Sequence, residues 1–446
     1  MLTFVDDIGP ISVDTFAKSI EPAWVDGALE ATGKASVRRR GFPAELAVSL
    51  VVGMALFSDR SIDDVVNHLR LVLPEKKKLA RSAIPQARTR LGAKPIELLF
   101  RKASASWRVR VPATTWKGLS LFAIDGSCLK VQDSDANYEA FGKAAGAKGE
   151  AGYPQVRVAC LLDLSQRMLV DAEFGPYRRG ELELAQSLWP QIQANSITIL
   201  DRGFNAYPVV AAVVDEARNK HILIRLRADM KPELVHQLPD GSAIAVLHPD
   251  YKVRHAHPEI RKEIRGRVIT YQHADGQPSR LFTTLIDHAA FPAQELVLLY
   301  HERWEIELAY DEMKVHMLHR KECLRSKTPE GVAQELWGVF LAYNLVRHEM
   351  ALAAVEFDVE PSRISFQSSL LIIRMFFERT AWIAPPTKLQ SRLAEMRQYL
   401  VVDLLILPER RSERRFPREV KVTQSRYPRN RRNRPSRATP SSTLLN

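Results

Sequence analysis

A chain of 446 residues is long enough for two or three domains with a substantial core. No apolar run reaches the roughly 18–20 residues of a membrane span, which excludes a membrane protein. The three cysteines form no CxxC pair, which excludes a disulfide framework and a zinc site. Because the N-terminus also lacks a secretory pattern, the sequence predicts a cytoplasmic protein. The net charge of +12 favours a polyanionic partner, although +10 of it lies in residues 410–437, where twelve Lys or Arg outweigh two Glu.

Residues 1–112 are predicted to form an all-α domain, because apolar side chains recur there with the period of a helix. A basic helix over Ile84–Leu91 would present Arg88 and Arg90, as the last helix of a helix-turn-helix does. A small helical bundle with basic surface residues gives the same pattern. Both interpretations of this helix stay open at the level of the sequence.

From about Leu119 the apolar residues take the period of β-strands. Three β-type runs come first, and the last two are joined by a predicted hairpin at Ser165-Gln166. Two further strands then alternate with helices, predicted over 180–192 and over Asn205–Ala217. This order predicts an α/β fold with a mixed sheet of the RNase H-like type.

Two aspartates hold equivalent positions in the predicted sheet. Asp125 and Asp201 each follow an apolar strand, at its C-terminal end, and a glycine comes within two residues of each. Strand ends are where ligands bind in α/β sheets. Asp and Gly also simply mark the places where strands stop. Each aspartate taken alone fits both interpretations.

The sheet is predicted to belong to a catalytic domain at 113–345, with a β-rich insertion over 227–290. C-terminal helices follow over 346–408, with a break at Pro385-Pro386 and a last helix that runs to about Leu407. Residues 409–446 are rich in arginine and proline and poor in apolar side chains, which predicts a basic disordered tail.

The most unusual polar pattern lies between Tyr300 and Lys314. Tyr300, Glu307 and Lys314 are spaced seven apart, and Arg303 precedes Glu307 by four, which predicts one face of a single helix. A phenol, a guanidinium, a carboxylate and an ammonium suit a phosphodiester site. A surface helix with an i,i+4 Arg–Glu pair has the same spacing.

The motifs resemble the insertion-sequence-four family of bacterial DDE transposases, and the resemblance spans most of the chain. The C-terminal signature of that family, Y-(2)-R-(3)-E-(6)-K, is matched without a change of spacing by Tyr300, Arg303, Glu307 and Lys314. The family's first two acids lie in segments like those around Asp125 and Asp201.

The resemblance implies a transposase that binds the terminal inverted repeats of an insertion sequence and catalyses DNA cleavage and strand transfer. Its catalytic residues, which would hold two Mg2+ ions or Mn2+ in their place, would be Asp125, Asp201 and Glu307. Its DNA contacts would include Tyr300, Arg303 and Lys314. The resemblance also implies a homodimer in the synaptic complex, target DNA as a second substrate, and association with the nucleoid when DNA is bound.

Two alternatives remain at this level. A catalytically inactive DNA-binding relative of a transposase would have lost an acid, whereas all three acids are present. An RNase H-like DNA nuclease would need neither the N-terminal helical domain nor the pattern between Tyr300 and Lys314.

Overall fold

The computed structural model describes residues 19–35, 42–69, 71, 82–146, 149–272, 278–319, 323–383, 389–402 and 406–407. The sequence also predicts a helix over Asp14–Thr32, and its start lies outside these residues, as do the break at Pro385-Pro386 and the basic tail of 409–446.

The N-terminal part is helical, as predicted. Its helices are α1 (Pro22–Ala31), α2 (Ala44–Leu56), α3 (Ile62–His68), α4 (Ala83–Leu91) and α5 (Lys94–Arg110). The Ser61 side chain caps α3, because it accepts a hydrogen bond from the backbone N–H of Asp64 at 3.1 Å. Helix α2 is apolar on all sides and buried almost throughout, as expected of a helix inside a core.

In the part of the chain that the structure describes, ten strands form one mixed sheet. They are β1 (Ser120–Lys130), β2 (Lys143–Gly146), β3 (Gly149–Asp163), β4 (Met168–Pro176), β5 (Ser196–Leu200), β6 (Lys220–Arg225), β7 (Glu233–Gln237), β8 (Ala243–Leu247), β9 (Ile264–Gln272) and β10 (Pro278–Thr283). Their order is β2-β3-β1-β5-β6-β10-β9-β8-β7, and β4 also pairs with β3.

The centre of the sheet, β4-β3-β1-β5-β6, confirms the predicted RNase H-like fold class. Strand β3 runs antiparallel to β1 and β4, whereas β1, β5 and β6 run parallel to one another. The hairpin at Ser165-Gln166 is confirmed too, and the following Arg167 takes a left-handed φ of 55°. The long parallel connections leave room for helices on the faces of the sheet.

Short helices connect the strands. They are α6 (Asp135–Phe141), α7 (Glu181–Ala185), α8 (Tyr207–Val213) and α9 (Tyr251–Ala256). Two are shorter than the sequence predicts. After α7 the chain passes into a separate 3-10 turn at Trp189–Gln191, and α8 ends where Val214 becomes extended.

The strands between residues 227 and 290 extend the central sheet. Strand β10 pairs antiparallel with β6, and β9, β8 and β7 continue outward from it. Strand β7 was not predicted, because its five residues are all exposed and show no alternation of apolar and polar side chains.

The C-terminal part is helical. Its helices are α10 (Ala293–His301), α11 (Trp304–Asp311), a π-helical segment (Glu312–Met317), α12 (Pro329–Glu356), α13 (Phe366–Ile383) and α14 (Leu389–Leu400). The prediction that the last helix reaches about Leu407 is wrong, since α14 ends at Leu400. None of the helices that the structure describes is long and apolar enough to cross a membrane.

Helix α12 links the N-terminal helices to the sheet. It lies in one apolar cluster with α2, α5 and the side chains of Ala123 and Ile199 on one face of the sheet. On the opposite face, α7 and α8 pack over Phe122 and Ile124. The Asn344 side chain of α12 accepts from the N–H of Leu169 at 2.8 Å and donates to its carbonyl at 2.7 Å, so that the helix completes the backbone hydrogen bonding of β4.

Of the two basic side chains of α4, Arg88 is turned toward the protein and Arg90 is exposed. The Arg88 Nε donates to Gln334 Oε1 at 2.8 Å, its Nη2 donates to Ser326 Oγ at 3.2 Å, and its side chain is only 13% exposed. Arg90 donates to the carbonyl of Phe42 at 3.4 Å. The prediction that α4 presents Arg88 on its surface is wrong, because this guanidinium joins α4 to α12.

Candidate active site

The register of two parallel strands places two of the predicted acids side by side. In the β1–β5 pair, Ile124 lies opposite Leu200, and the next residues of the two strands are Asp125 and Asp201. Asp201 follows the end of β5, as predicted. The prediction for Asp125 is wrong in one respect, because β1 continues to Lys130 along β3. Asp125 therefore lies where pairing with β5 ends, within a longer strand.

Asp201 is held by the turn that follows it. Its carboxylate accepts hydrogen bonds from the backbone N–H groups of Gly203 at 2.7 Å and Phe204 at 3.3 Å, and so caps a short 3-10 turn. A Cβ at position 203 would lie 2.9 Å from Asp201 Oδ1. Glycine at this position therefore permits the close approach of the carboxylate.

Asp125 lies in a more enclosed place, with 18% of its side chain exposed. The pKa of its carboxyl is raised to about 6, mainly by burial; the hydrogen bond from the Gly126 N–H and the Arg303 guanidinium oppose this shift, and the negative charge of nearby Asp201 adds to it. The raised pKa means that the ionised carboxylate of Asp125 is disfavoured in this environment, and a positive charge beside it would stabilise that form.

Asp125→Asn should reduce the loss of stability that the metal-free protein shows as the pH rises. The folded-state pKa of about 6 exceeds the ordinary value of 3.8, so the folded state binds this proton more tightly. This stabilisation is fully present at a pH below the ordinary pKa and is lost as the pH rises through the folded-state pKa. The free energy of unfolding lost in this way is about 1 kcal/mol between about pH 5 and pH 7.5. Urea unfolding in EDTA at both values measures the difference; equal losses in variant and wild type would contradict it.

The segment between Tyr300 and Lys314 is not the single helix that its spacing predicts. Tyr300 lies in the last turn of α10, and Arg303 lies in the short turn before α11. Glu307 is in α11, and Lys314 is in the π-helical segment. The four side chains come from four successive pieces of backbone.

Arg303 connects two of the acids. Its Nη2 lies 2.7 Å from Glu307 Oε1 and its Nη1 lies 3.7 Å from Asp125 Oδ2, while the side chain is only 13% exposed. The i,i+4 ion pair is therefore present, but it is part of the site rather than of an outer surface. Trp304 is 42% exposed, and its ring centroid lies 5.9 Å from the Arg303 guanidinium carbon.

Tyr300 and Lys314 lie beside these groups. Burial raises the pKa of the Tyr300 phenol to about 12, with Arg303 opposing and the Asp201 carboxylate adding to the shift. The phenol thus keeps its proton at neutral pH and can donate a hydrogen bond. Lys314 is half-buried, close enough to Cys128 of β1 for its charge to oppose the effect of burial, which raises the pKa of that thiol.

Tyr310 is a positioning residue that the sequence did not indicate. Its buried hydroxyl donates to the backbone carbonyl of Asp125 at 2.8 Å and so joins α11 to β1. Glu307 lies three residues earlier on the same helix, so this bond helps to set the position of its carboxylate relative to Asp125. An aromatic residue at a helical spacing is typical of a core position, and nothing in the sequence distinguishes core packing from a role in positioning the site.

Tyr310→Phe should lower the free energy of unfolding by about 1–2 kcal/mol, because it leaves a buried carbonyl without its donor. Chemical denaturation measures the change. The matched control is Tyr138→Phe, since the exposed Tyr138 hydroxyl lies 3.3 Å from Glu150 Oε1. We expect a change of less than about 0.5 kcal/mol there. Similar changes in both variants would contradict the role of Tyr310.

The three acids fit a divalent cation by their chemistry. No three His, Cys, Asp or Glu side chains in the described part of the chain converge as a metal ion would require. Asp125 and Glu307 nevertheless contact one guanidinium, and the Asp201 charge acts on Asp125. Carboxylate oxygens are the ligands that Mg2+ prefers, and two of the three acids contact one positive charge.

The chain resembles known proteins over most of its length. Residues 10–101 match the insertion element 4 transposase N-terminal family, and residues 116–345 match the transposase DDE domain. Transposase InsG for insertion sequence element IS4 of Escherichia coli (strain K12) is 35% identical over 412 residues, which cover 92% of each chain. Putative transposase InsZ of the same strain is 33% identical over 231 residues, 51% of this chain and 76% of that protein.

One solved structure with a similar course of the chain is the piggyBac transposase synaptic complex with hairpin DNA. The TM-score is 0.46 and the sequence identity is 13%, over 91% of this chain and 87% of that chain.

Proposed function

Because the chain belongs to the insertion-element-4 family of DDE transposases, we propose that it binds the terminal inverted repeats of an insertion sequence and cleaves and transfers DNA strands with Asp125, Asp201 and Glu307. The observation that carries this proposal is the β1–β5 register, which brings Asp125 and Asp201 together beside the guanidinium that also contacts Glu307. Pairing with β3 holds Asp125, and the 3-10 turn after β5 holds Asp201, so regular structure fixes both aspartates more rigidly than a loop would.

The proposed cofactor is a pair of Mg2+ ions, with Mn2+ as a substitute, held by Asp125, Asp201 and Glu307. Divalent cations supply charge neutralisation at the phosphate and activate water or a 3'-hydroxyl for in-line attack. The protein contributes the position of the carboxylates. Hydrogen bonds to Gly203 and Phe204 orient Asp201, and Tyr310 holds α11 against the backbone of Asp125.

The proposed DNA contacts are Tyr300, Arg303 and Lys314. A protonated phenol and a guanidinium donate hydrogen bonds, and both suit phosphate oxygens. Arg303 contacts Asp125 and Glu307 from within the site, so the same side chain would meet the scissile phosphate next to the acids. Lys314 adds a cation on the β1 side.

The proposed assembly is a homodimer, because two transposon ends are brought together and a two-fold assembly presents two equivalent sites. The N-terminal helices are the proposed readers of the repeat, with target DNA as the second substrate. DNA cleavage and strand transfer would take place in the cytoplasm, at the nucleoid.

The test is incubation of the purified protein with the terminal repeats of its own element and Mg2+, followed by a denaturing gel that separates nicks, hairpins and double-strand breaks. We expect cleavage at the element ends that requires the divalent cation. Binding without any cleavage would favour an inactive relative, and cleavage without preference for the repeats would favour a nuclease; either result would overturn the proposal.

A further inference from the structure

A fourth carboxylate lies beside the three acids. Glu181 begins α7, and its side chain covers Gly126, the residue that follows Asp125 in β1. A Cβ placed on Gly126 would lie 2.4 Å from Glu181 Cγ and 2.9 Å from Glu181 Oε1. The missing side chain at position 126 is therefore what lets this carboxyl group approach the strand next to Asp125.

Glu181 reaches the site from the opposite face of the sheet to Glu307. Helix α7 packs in the cluster with Ile124, whereas α11 packs in the cluster with Ala123. Beyond Ile124, the ladder between β1 and β5 stops, and β1 keeps only β3 as a strand neighbour among the pairings that the structure describes. Side chains from both faces can meet at this open edge.

The charge of Glu181 acts within the site. The Glu181 side chain lies against Gly126, the residue next to Asp125, and it contacts Arg157 of β3, the strand that pairs with β1 at this point. A carboxylate next to other carboxylates is destabilising unless positive charge compensates it. Its location among the acids therefore needs an explanation.

Arg157 of β3 compensates part of this charge. Its Nη1 lies 3.4 Å from Glu181 Oε1, and its guanidinium carbon lies 4.8 Å from the Tyr177 ring centroid. Glu181 keeps 38% of its side chain exposed. Three of the four acids contact a guanidinium, Asp125 and Glu307 that of Arg303 and Glu181 that of Arg157, and even with Lys314 nearby these three cations are fewer than the four acids.

From this geometry, and resting on the proposed function, we propose that Glu181 is a fourth acid of the catalytic centre and binds one of its two divalent cations from the α7 side of the sheet. Asp125 would then lie between two supports, with Glu307 on one face and Glu181 on the other. Gly126 has a defined part in this arrangement, since it makes room for the fourth carboxylate.

The test is Mn2+ binding to the full-length protein, measured by electron paramagnetic resonance of the free ion and by calorimetry. Wild type should bind two ions. Glu181→Gln should weaken one of the two sites about 10-fold or more, as loss of a metal-supporting group does. The matched control is Glu183→Gln on the same short helix, because Glu183 is paired with Arg179 outside the acids and should leave both sites unchanged.

A second variant tests the same geometry with Glu181 intact. Gly126→Ala puts a methyl group where the Glu181 side chain lies, so it should displace the carboxylate and weaken the same site. Thermal unfolding of all variants in EDTA, with circular dichroism, shows that they remain folded. Unchanged Mn2+ binding in Glu181→Gln would overturn the inference and reduce Glu181 to an ion-pair partner of Arg157.

The outcomes separate this inference from the proposed function. If Glu307→Gln loses Mn2+ binding while Glu181→Gln keeps it, the three-acid site stands and the fourth acid is refuted. If wild type binds no Mn2+ at all, both proposals are overturned. Loss of one ion in Glu181→Gln and Gly126→Ala, but not in Glu183→Gln, supports the fourth acid.

Discussion

Glu307→Gln should bind the terminal repeats as wild type does and lose strand cleavage by a factor on the order of 10^3. The amide has the shape of the carboxylate and its oxygen can still accept a hydrogen bond from Arg303 Nη2, which lies 2.7 Å from Glu307 Oε1. It has no negative charge to hold a divalent cation. Binding is measured by gel mobility shift and cleavage by denaturing gel, on the same labelled repeat.

The matched control for this variant is Glu302→Gln. Glu302 is exposed, directly precedes Arg303, and is the C-cap residue of α10. The Glu302→Gln variant should cleave DNA as wild type does, because the charge that it removes lies outside the group of acids. Robust Mg2+-dependent cleavage by Glu307→Gln would contradict the assignment of Glu307 as a catalytic acid, whatever the control shows.

Arg347→Met should destabilise the protein by about 3–5 kcal/mol, since it leaves a charge buried without its partner. Arg347 in α12 is 5% exposed and pairs with Glu312, the first residue of the π-helical segment. The Tyr343 hydroxyl also donates to Glu312, at 3.2 Å. These contacts join α12 to the segment that carries Lys314, so the loss should be accompanied by loosening of that segment.

Urea unfolding measures the effect, and Arg392→Met is its control. Arg392 is paired with Glu395 at 2.7 Å on the surface of α14, with 48% of its side chain exposed. Such pairs contribute about 1 kcal/mol or less. The double variant Arg347→Met with Glu312→Met should recover most of the loss, because it removes both charges. A loss below about 1 kcal/mol in Arg347→Met alone would contradict the importance of this pair.

The sequence predicted the parts of the site that depend on local pattern. The apolar run before Asp201 and the glycine after it identified a strand end, because these residues act within a few positions of each other. The same reasoning placed Asp125 at the end of a strand. It failed there because β1 continues along β3, where Asp125 pairs with Cys160, thirty-five residues further along the chain.

The break between α10 and α11 could not be predicted, since helical spacing continues through the turn at Arg303. Glu312, the first residue of the π-helical segment, contacts Arg347, which lies thirty-five residues further along the chain. Tyr310, Arg88 and Glu181 have ordinary spacings in the sequence, and only packing shows what their polar groups contact. Long-range contacts decided the roles of these three residues.

Helix α12 has one consequence for how DNA is cut. Because α2, α5 and one face of the sheet bury apolar side chains against it in a single cluster, the N-terminal helices cannot shift past the acids without exposing that core to water. If those helices hold the repeat, the protein itself sets a constant number of base pairs between the sequence that is read and the bond that is broken. The rigid packing of the protein interior would then set the position of cleavage.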